Sequence, residues 1–167
     1  MAYRRVGAVL TAAILIVFTT AGCLGKDSAM QPTETLAQAA ERVEEILQEA
    51  IAQLPSDATI DRRPNLDGVP CDLSTGPVFS ERSAQVIPPV SGTWSETDVL
   101  SILSEFWERK GYTAFIDENS SNQHRYFVRT DDGYKLSVRT YDRGGHYDVR
   151  LGASSPCVWE FGTPGPQ

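Results

Sequence analysis

Hydrophobic positions recur along this chain at two different periods, and the change from one to the other divides it. Leu36, Ala39, Val43, Ile46, Leu47, Ala50, Ile51 and Leu54 stand mostly three or four apart, so on a helix they form one apolar stripe. Glu41, Glu44, Glu45 and Glu49 occupy much of the remaining surface. Thr35 with Gln38 three residues later makes a capping box, and Pro55-Ser56-Asp57 makes a stop. A second helix is expected after Ser95, whose box partner is Asp98. Its stripe is Val99, Ile102, Leu103 and Phe106 with Trp107 at the flank, and Lys110-Gly111 ends it.

From Tyr112 the period falls to two. Strands are expected over 112–117, 125–129, 134–141 and 146–151, with polar turns between them. The middle is less regular. A short strand fits 58–63, a loop rich in Pro, Gly and Asp fits 64–77, and a strand over 84–87 would stop at Pro88-Pro89. The pattern predicts an α+β domain over 33–161, with two helices packed on one face of an antiparallel sheet ending in a three-stranded meander. Residues 162–167, rich in Pro and Gly, are expected to be a flexible tail.

The start of the chain follows a different logic. Arg4 and Arg5 precede 14 uncharged, largely apolar residues over 6–19, and Thr20-Ala21-Gly22 lead directly to Cys23. A bilayer-spanning helix needs about 20 residues, so this run is short for one. Residues 1–22 read as a cleaved signal peptide whose small residues before a cysteine resemble the lipobox of bacterial lipoproteins. The lipobox prefers Leu where Thr20 stands. The arginine pair is followed by Gly7-Ala8 rather than a twin-arginine export signature, so general secretion is expected. Cys23 is the expected lipidation site, carrying acyl chains such as palmitate through its sulfur, and 23–32 the tether. The expected location is the extracytoplasmic face of the cell membrane, held by that lipid. No other stretch is apolar enough to span a bilayer.

Charge and cysteines narrow the picture a little further. Losing Arg4 and Arg5 takes the formal charge from −7 to −9, which argues against a nucleic-acid partner. Once Cys23 is lipidated, Cys71 and Cys157 remain as an even pair in an oxidising compartment, where disulfides persist. Bridging them closes a loop of 86 residue steps, a constraint of about 4 kcal/mol by chain-entropy reasoning. A redox or metal role is disfavoured because no C-x-x-C occurs and neither histidine has ligand spacing with a cysteine. No cofactor and no metal are expected.

Strand alternation sorts the candidate chemistry. Tyr134, Leu136, Val138, Tyr147, Val149 and Leu151 should face the helices. Lys135, Arg139, Tyr141, His146, Asp148 and Arg150 should face out, joined by Arg125, Phe127 and Arg129. Between 124 and 151 six basic residues meet four acidic ones, against the acidic trend of the chain. Arg129, Lys135 and Arg139 are therefore a candidate docking face for an acidic partner, an anionic glycan or a lipid headgroup. The simpler alternative is a solvated face carrying Arg–Asp and Arg–Tyr cross-strand pairs.

Enzyme signatures are mostly missing. There is no G-x-S-x-G, H-E-x-x-H or P-loop, and no S-x-x-K with K-T-G. A small hydrolase built from His124, His146, Asp67 and Asp72 is the alternative to a non-enzymatic binding module. Asp131-Asp132-Gly133 reads as turn chemistry rather than a cation site.

In order, the segments resemble the LppA-like lipoproteins of actinobacteria, small envelope proteins without an established activity. The residues that carry this are the lipobox ending at Cys23, the Ala/Glu/Arg-rich helix closing at Leu54-Pro55, Arg63-Pro64-Asn65 and Gly68-Val69-Pro70-Cys71-Asp72. The acidic helix ending Lys110-Gly111-Tyr112, the strand over 134–138 and a late Cys157 complete the order. The stretch 87–91 departs from that family. The resemblance implies an envelope location and a Cys71–Cys157 bridge, and it implies no catalytic residue. The partner expected is the membrane, through Cys23, together with an envelope protein or ligand that the residues do not specify.

Overall fold

A computed structural model describes residues 34–72, 76–89, 95–115, 125–142 and 147–164. The signal peptide, Cys23 and the tether lie outside these residues. So do His124, His146, the stretches 73–75, 90–94, 116–123 and 143–145, and the end 165–167.

The first helix, α1 (Leu36–Ile51), starts where the capping pattern puts it. Gln38 N donates to Thr35 Oγ1 at 3.3 Å, and Thr35 N donates to Gln38 Oε1 at 3.0 Å, satisfying two donors the helix leaves free. Ala39, Val43, Ile46, Leu47 and Ala50 are buried, so the stripe is the core face. The second helix, α2 (Glu96–Arg109), begins with Ser95 N donating to Asp98 Oδ2 at 2.6 Å. It ends in a Schellman motif: Gly111, at φ 77, donates to Glu108 O at 2.9 Å, and Tyr112 N donates to Trp107 O at 3.0 Å. Trp107 is not at the flank of the stripe. It is 1% exposed, in the core, and stacks on Tyr126 with ring centroids 6.0 Å apart.

Among the described residues seven strands form one antiparallel sheet: β1 (Thr59–Arg62), β2 (Leu66–Pro70), β3 (Val78–Ile87), β4 (Thr113–Ala114), β5 (Arg125–Arg129), β6 (Lys135–Asp142) and β7 (Tyr147–Ser154). The order is β1-β3-β7-β6-β5-β4, and β2 lies beyond β1 along the same side of β3. The expected meander β5-β6-β7 is present and β4 extends it. The last strand then docks on β3, pairing Glu81 with Ser154 and Val86 with Val149. Helix α1 packs on β3 and β7, and α2 on β5 and β6. The fold is thus α+β with both helices on one side of the sheet.

Two expectations for the middle of the chain need correction. The segment 64–77, expected as loop, contains β2. Gly68 at φ 73 and a register shift between Leu66 and Val69 break the regular alternation, and Pro70 is tolerated because this is an edge strand. The strand expected over 84–87 runs the full length of Val78–Ile87. Its inward positions include Ser80 and Arg82 as well as Ala84 and Val86, so half of its buried side carries no apolar signal.

The disulfide joins Cys71, after β2, to Cys157, after β7, with Cα atoms 6.1 Å apart. Beside it Val78 and Val158 exchange two backbone hydrogen bonds of 2.8 Å. The tail expected to fray from Gly162 begins in a turn, with Gly162 N donating to Trp159 O at 3.1 Å. Among the described residues, no helix is long and apolar enough to cross a membrane.

Candidate functional site

Pairing register converts the alternation of single strands into rows across the face opposite the helices. Tyr134, Leu136, Val138, Val149 and Leu151 are buried on the helix side as expected; the side chain of Tyr147 lies outside the described residues. On the outer side one row runs Gln85, Arg150, Arg139, Arg125. The next holds Ser83, Gly152, Ser137 and Phe127, and the third Glu81, Ser154, Lys135, Arg129 and Thr113.

The simple solvated face expected opposite-charge neighbours, and the register gives something else. Arg139 stands directly between Arg125 and Arg150, and Arg129 directly opposite Lys135. Among the described residues no carboxylate lies within ion-pairing distance of Arg129, Lys135 or Arg139. Like charges directly opposite one another on adjacent strands destabilise a sheet, so this arrangement is not explained by stability.

Aromatic rings hold two of the guanidiniums. Arg139 lies over Phe127 at 5.1 Å from the ring centroid, and Arg129 over Phe115 at 5.3 Å. The two rings pack on each other at 5.5 Å. The stack Arg129–Phe115–Phe127–Arg139 explains why Phe127, on the outer face as expected, is only 7% exposed. Cation–π contact orients an arginine without neutralising it. Arg150 is set over Tyr141 in the same way, at 5.7 Å. That Arg150–Tyr141 contact between β7 and β6 is a cross-strand Arg–Tyr pair of the kind the solvated-face alternative expects, and beside it Gln85 Nε2 donates to Asp148 at 3.1 Å.

At the centre of the face is a depression of about 220 Å³. Ser137 and Gly152 floor it, Phe115 and Phe127 wall it, Arg139 closes one end, and Glu81, Lys135 and Ser154 lie at the other. A Cβ on Gly152 would meet Ser137 Oγ at 3.1 Å, so the glycine keeps the floor low. Arg139 Nε is buried and has no hydrogen-bond partner among the described residues. Two of the three expected docking residues, Lys135 and Arg139, thus share one concavity; Arg129 sits beside it on the aromatic wall. The aromatic wall and the glycine floor had no signal in single-strand alternation, because they arise from cross-strand neighbours.

Of the residues of the hydrolase alternative, Asp67 and Asp72 are described, and His124 and His146 lie outside the described residues. Asp67 accepts from Arg82 at 2.8 and 3.2 Å, and that contact holds its carboxyl below the usual range against the opposing effect of burial. Asp72 is exposed, next to the bridged Cys71. Asp132 accepts from the Thr130 hydroxyl within its own turn. No group of three or more metal-binding side chains occurs among the described residues.

A second charged cluster, which the sequence did not suggest, lies on the helix side. Arg82 is 5% exposed and bound by Asp67, with Glu44 Oε2 3.7 Å from its Nε, while Glu44 also takes Arg62. It ties α1 to β1, β2 and β3. Each charge has its counter-charge, as a structural cluster requires.

Fold and site together define the class: a small α+β domain with an open, cation-bearing sheet face and a shallow central depression. Comparison of the chain with family models, curated proteins and solved structures found no match in any of the three.

Proposed function

We propose that this chain is an exported lipoprotein, held by acyl chains on Cys23 to the outer face of the cytoplasmic membrane. Its folded domain is a non-enzymatic module that docks an acidic partner on the outer sheet face through Arg129, Lys135 and Arg139. The observation that carries the docking reading is the register itself, which sets cation opposite cation where a merely solvated sheet would alternate charges. The order of charged, apolar and small residues ending at Cys23 supports the anchor. So does the residue order that resembles the LppA-like lipoproteins.

The two halves are tested separately. Metabolic labelling with a fatty-acid analogue should mark the wild-type chain and not Cys23→Ser; equal labelling of both defeats the anchor. Crosslinking in intact cells, followed by identification of the captured species, tests the face. Replacing Arg129, Lys135 and Arg139 together by Gln should abolish capture while leaving the melting temperature nearly unchanged. Raising salt should weaken capture in the same direction, because exposed charges are screened. Capture that survives the triple change contradicts the docking reading.

A further inference from the structure

We infer that the depression over Ser137 and Gly152 is a binding site for a phosphate-bearing polyol no larger than a sugar phosphate. The inference rests on the outer face being a docking surface and names what its centre takes.

Size comes first. At about 220 Å³ the depression is smaller than the ~300–1,000 Å³ of typical small-molecule pockets, so it admits one small ring or a short polyol and no more.

Polarity comes next, because the two ends differ. Arg139 closes one end with a guanidinium already oriented on Phe127, and its buried Nε lacks a hydrogen-bond acceptor. A buried donor without a partner is costly, and an arriving oxyanion relieves that cost. Arg125 and Arg150 stand on either side of it in register, so the positive charge there exceeds what one carboxylate would balance. A phosphate monoester carries up to two charges and three acceptor oxygens, which match that excess. At the other end Glu81, Ser154 and Lys135 follow one another across three strands. Glu81 repels a second anion and accepts from hydroxyls, while Lys135 donates to hydroxyl oxygens. That end suits the uncharged, hydroxylated part of the ligand. Ser137 on the floor adds a group that can donate or accept.

A free sugar phosphate presents this monoester beside hydroxyls, and the glycerol phosphate head of a lipid presents a diester, with one charge and two free oxygens, beside similar hydroxyls, so the test has two arms. The full-length chain in neutral detergent is titrated calorimetrically with glucose 1-phosphate, with glucose and galacturonate as controls. In parallel it is mixed with phosphatidylcholine vesicles with and without phosphatidylglycerol. Saturable binding is expected in at least one arm, with glucose and galacturonate at least tenfold weaker than glucose 1-phosphate where the free arm binds. Arg139→Gln should weaken binding tenfold or more, whereas Arg109→Gln, on exposed α2 surface, removes the same charge and should change it less than twofold. Gly152→Val keeps every charge but fills the floor, and should abolish binding with a cooperative melt retained. If Gly152→Val fails to fold, Arg139→Gln against Arg109→Gln decides. No binding in either arm, equal binding of galacturonate, or equal loss in Arg139→Gln and Arg109→Gln overturns the inference. An acyl chain on Cys23 would hold the protein to both kinds of vesicle alike, so the vesicle arm is read as the difference that phosphatidylglycerol makes, and capture of a protein partner in cells would still test the wider docking reading by itself.

Discussion

Arg82 occupies a position on β3 where strand alternation leads one to expect an apolar side chain, and it is buried there. Two contacts from the Asp67 carboxylate and the nearby Glu44 make this possible, since a charge removed from water must be matched by a counter-charge and hydrogen bonds. Asp67→Asn should therefore destabilise the domain by about 1–3 kcal/mol, below the cost of breaking a fully buried pair because Asp67 itself is half exposed. The pH dependence follows from the direction of the shift. The Asp67 carboxyl titrates below its unfolded value, so its contribution is fully present above about pH 4 and is lost as pH falls through the folded value. Urea unfolding at pH 7 and pH 3 should show a smaller loss on acidification in Asp67→Asn than in the wild type. An equal loss in both would mean that other carboxylates account for the acid sensitivity. Arg82 also marks where residue-level reading stops. A single strand gives the side a residue faces, but nothing in the chain around Arg82 announces a partner 15 positions away.

Elements with complete local signals were legible and those specified by their neighbours were not. Both helices start at the cap residue that the capping boxes indicate, and β5 has the bounds that its alternation gives. These signals are contained within a few residues. By contrast, β2 is held by β3 and the nearby disulfide rather than by its own Leu-Asp-Gly-Val-Pro sequence, and β3 is defined by strands on both of its sides. The end of α2 gives a test at this scale. Gly111 has φ 77 and nothing within 4 Å of where a Cβ would sit, so Gly111→Ala introduces backbone strain without a clash. The left-handed conformation costs a non-glycine residue about 1–2 kcal/mol. For a domain of this size that lowers the melting temperature by roughly 2–8 °C. Gly111→Asn should recover part of the loss, because asparagine tolerates that region better. Identical melting of Gly111→Ala and wild type would show that the helix end rearranges to avoid the strain.

At the scale of the whole molecule the sheet divides the domain into two unlike faces. One is covered by α1 and α2 over a continuous core from Val43 to Ala153. The other carries cations side by side in register, two of them held on phenylalanine rings, around a floor kept low by Gly152. The basic character of this face was legible in the alternation of β5, β6 and β7. Its concavity was not, because the depression is bounded by Glu81 on β3 and by Phe115 just beyond β4 as well as by the meander. The central claim, that this face and not the helical one meets a partner, can be tested by placing the same photo-crosslinking amino acid at two positions in cells. One is Thr113, exposed on the outer sheet face in the row of Arg129 and Lys135; the other is Glu41, exposed on α1. The account expects a discrete adduct from Thr113, lost when Arg129, Lys135 and Arg139 are changed to Gln, and none from Glu41. An adduct from Glu41 alone, or the same adduct from both positions, would contradict it.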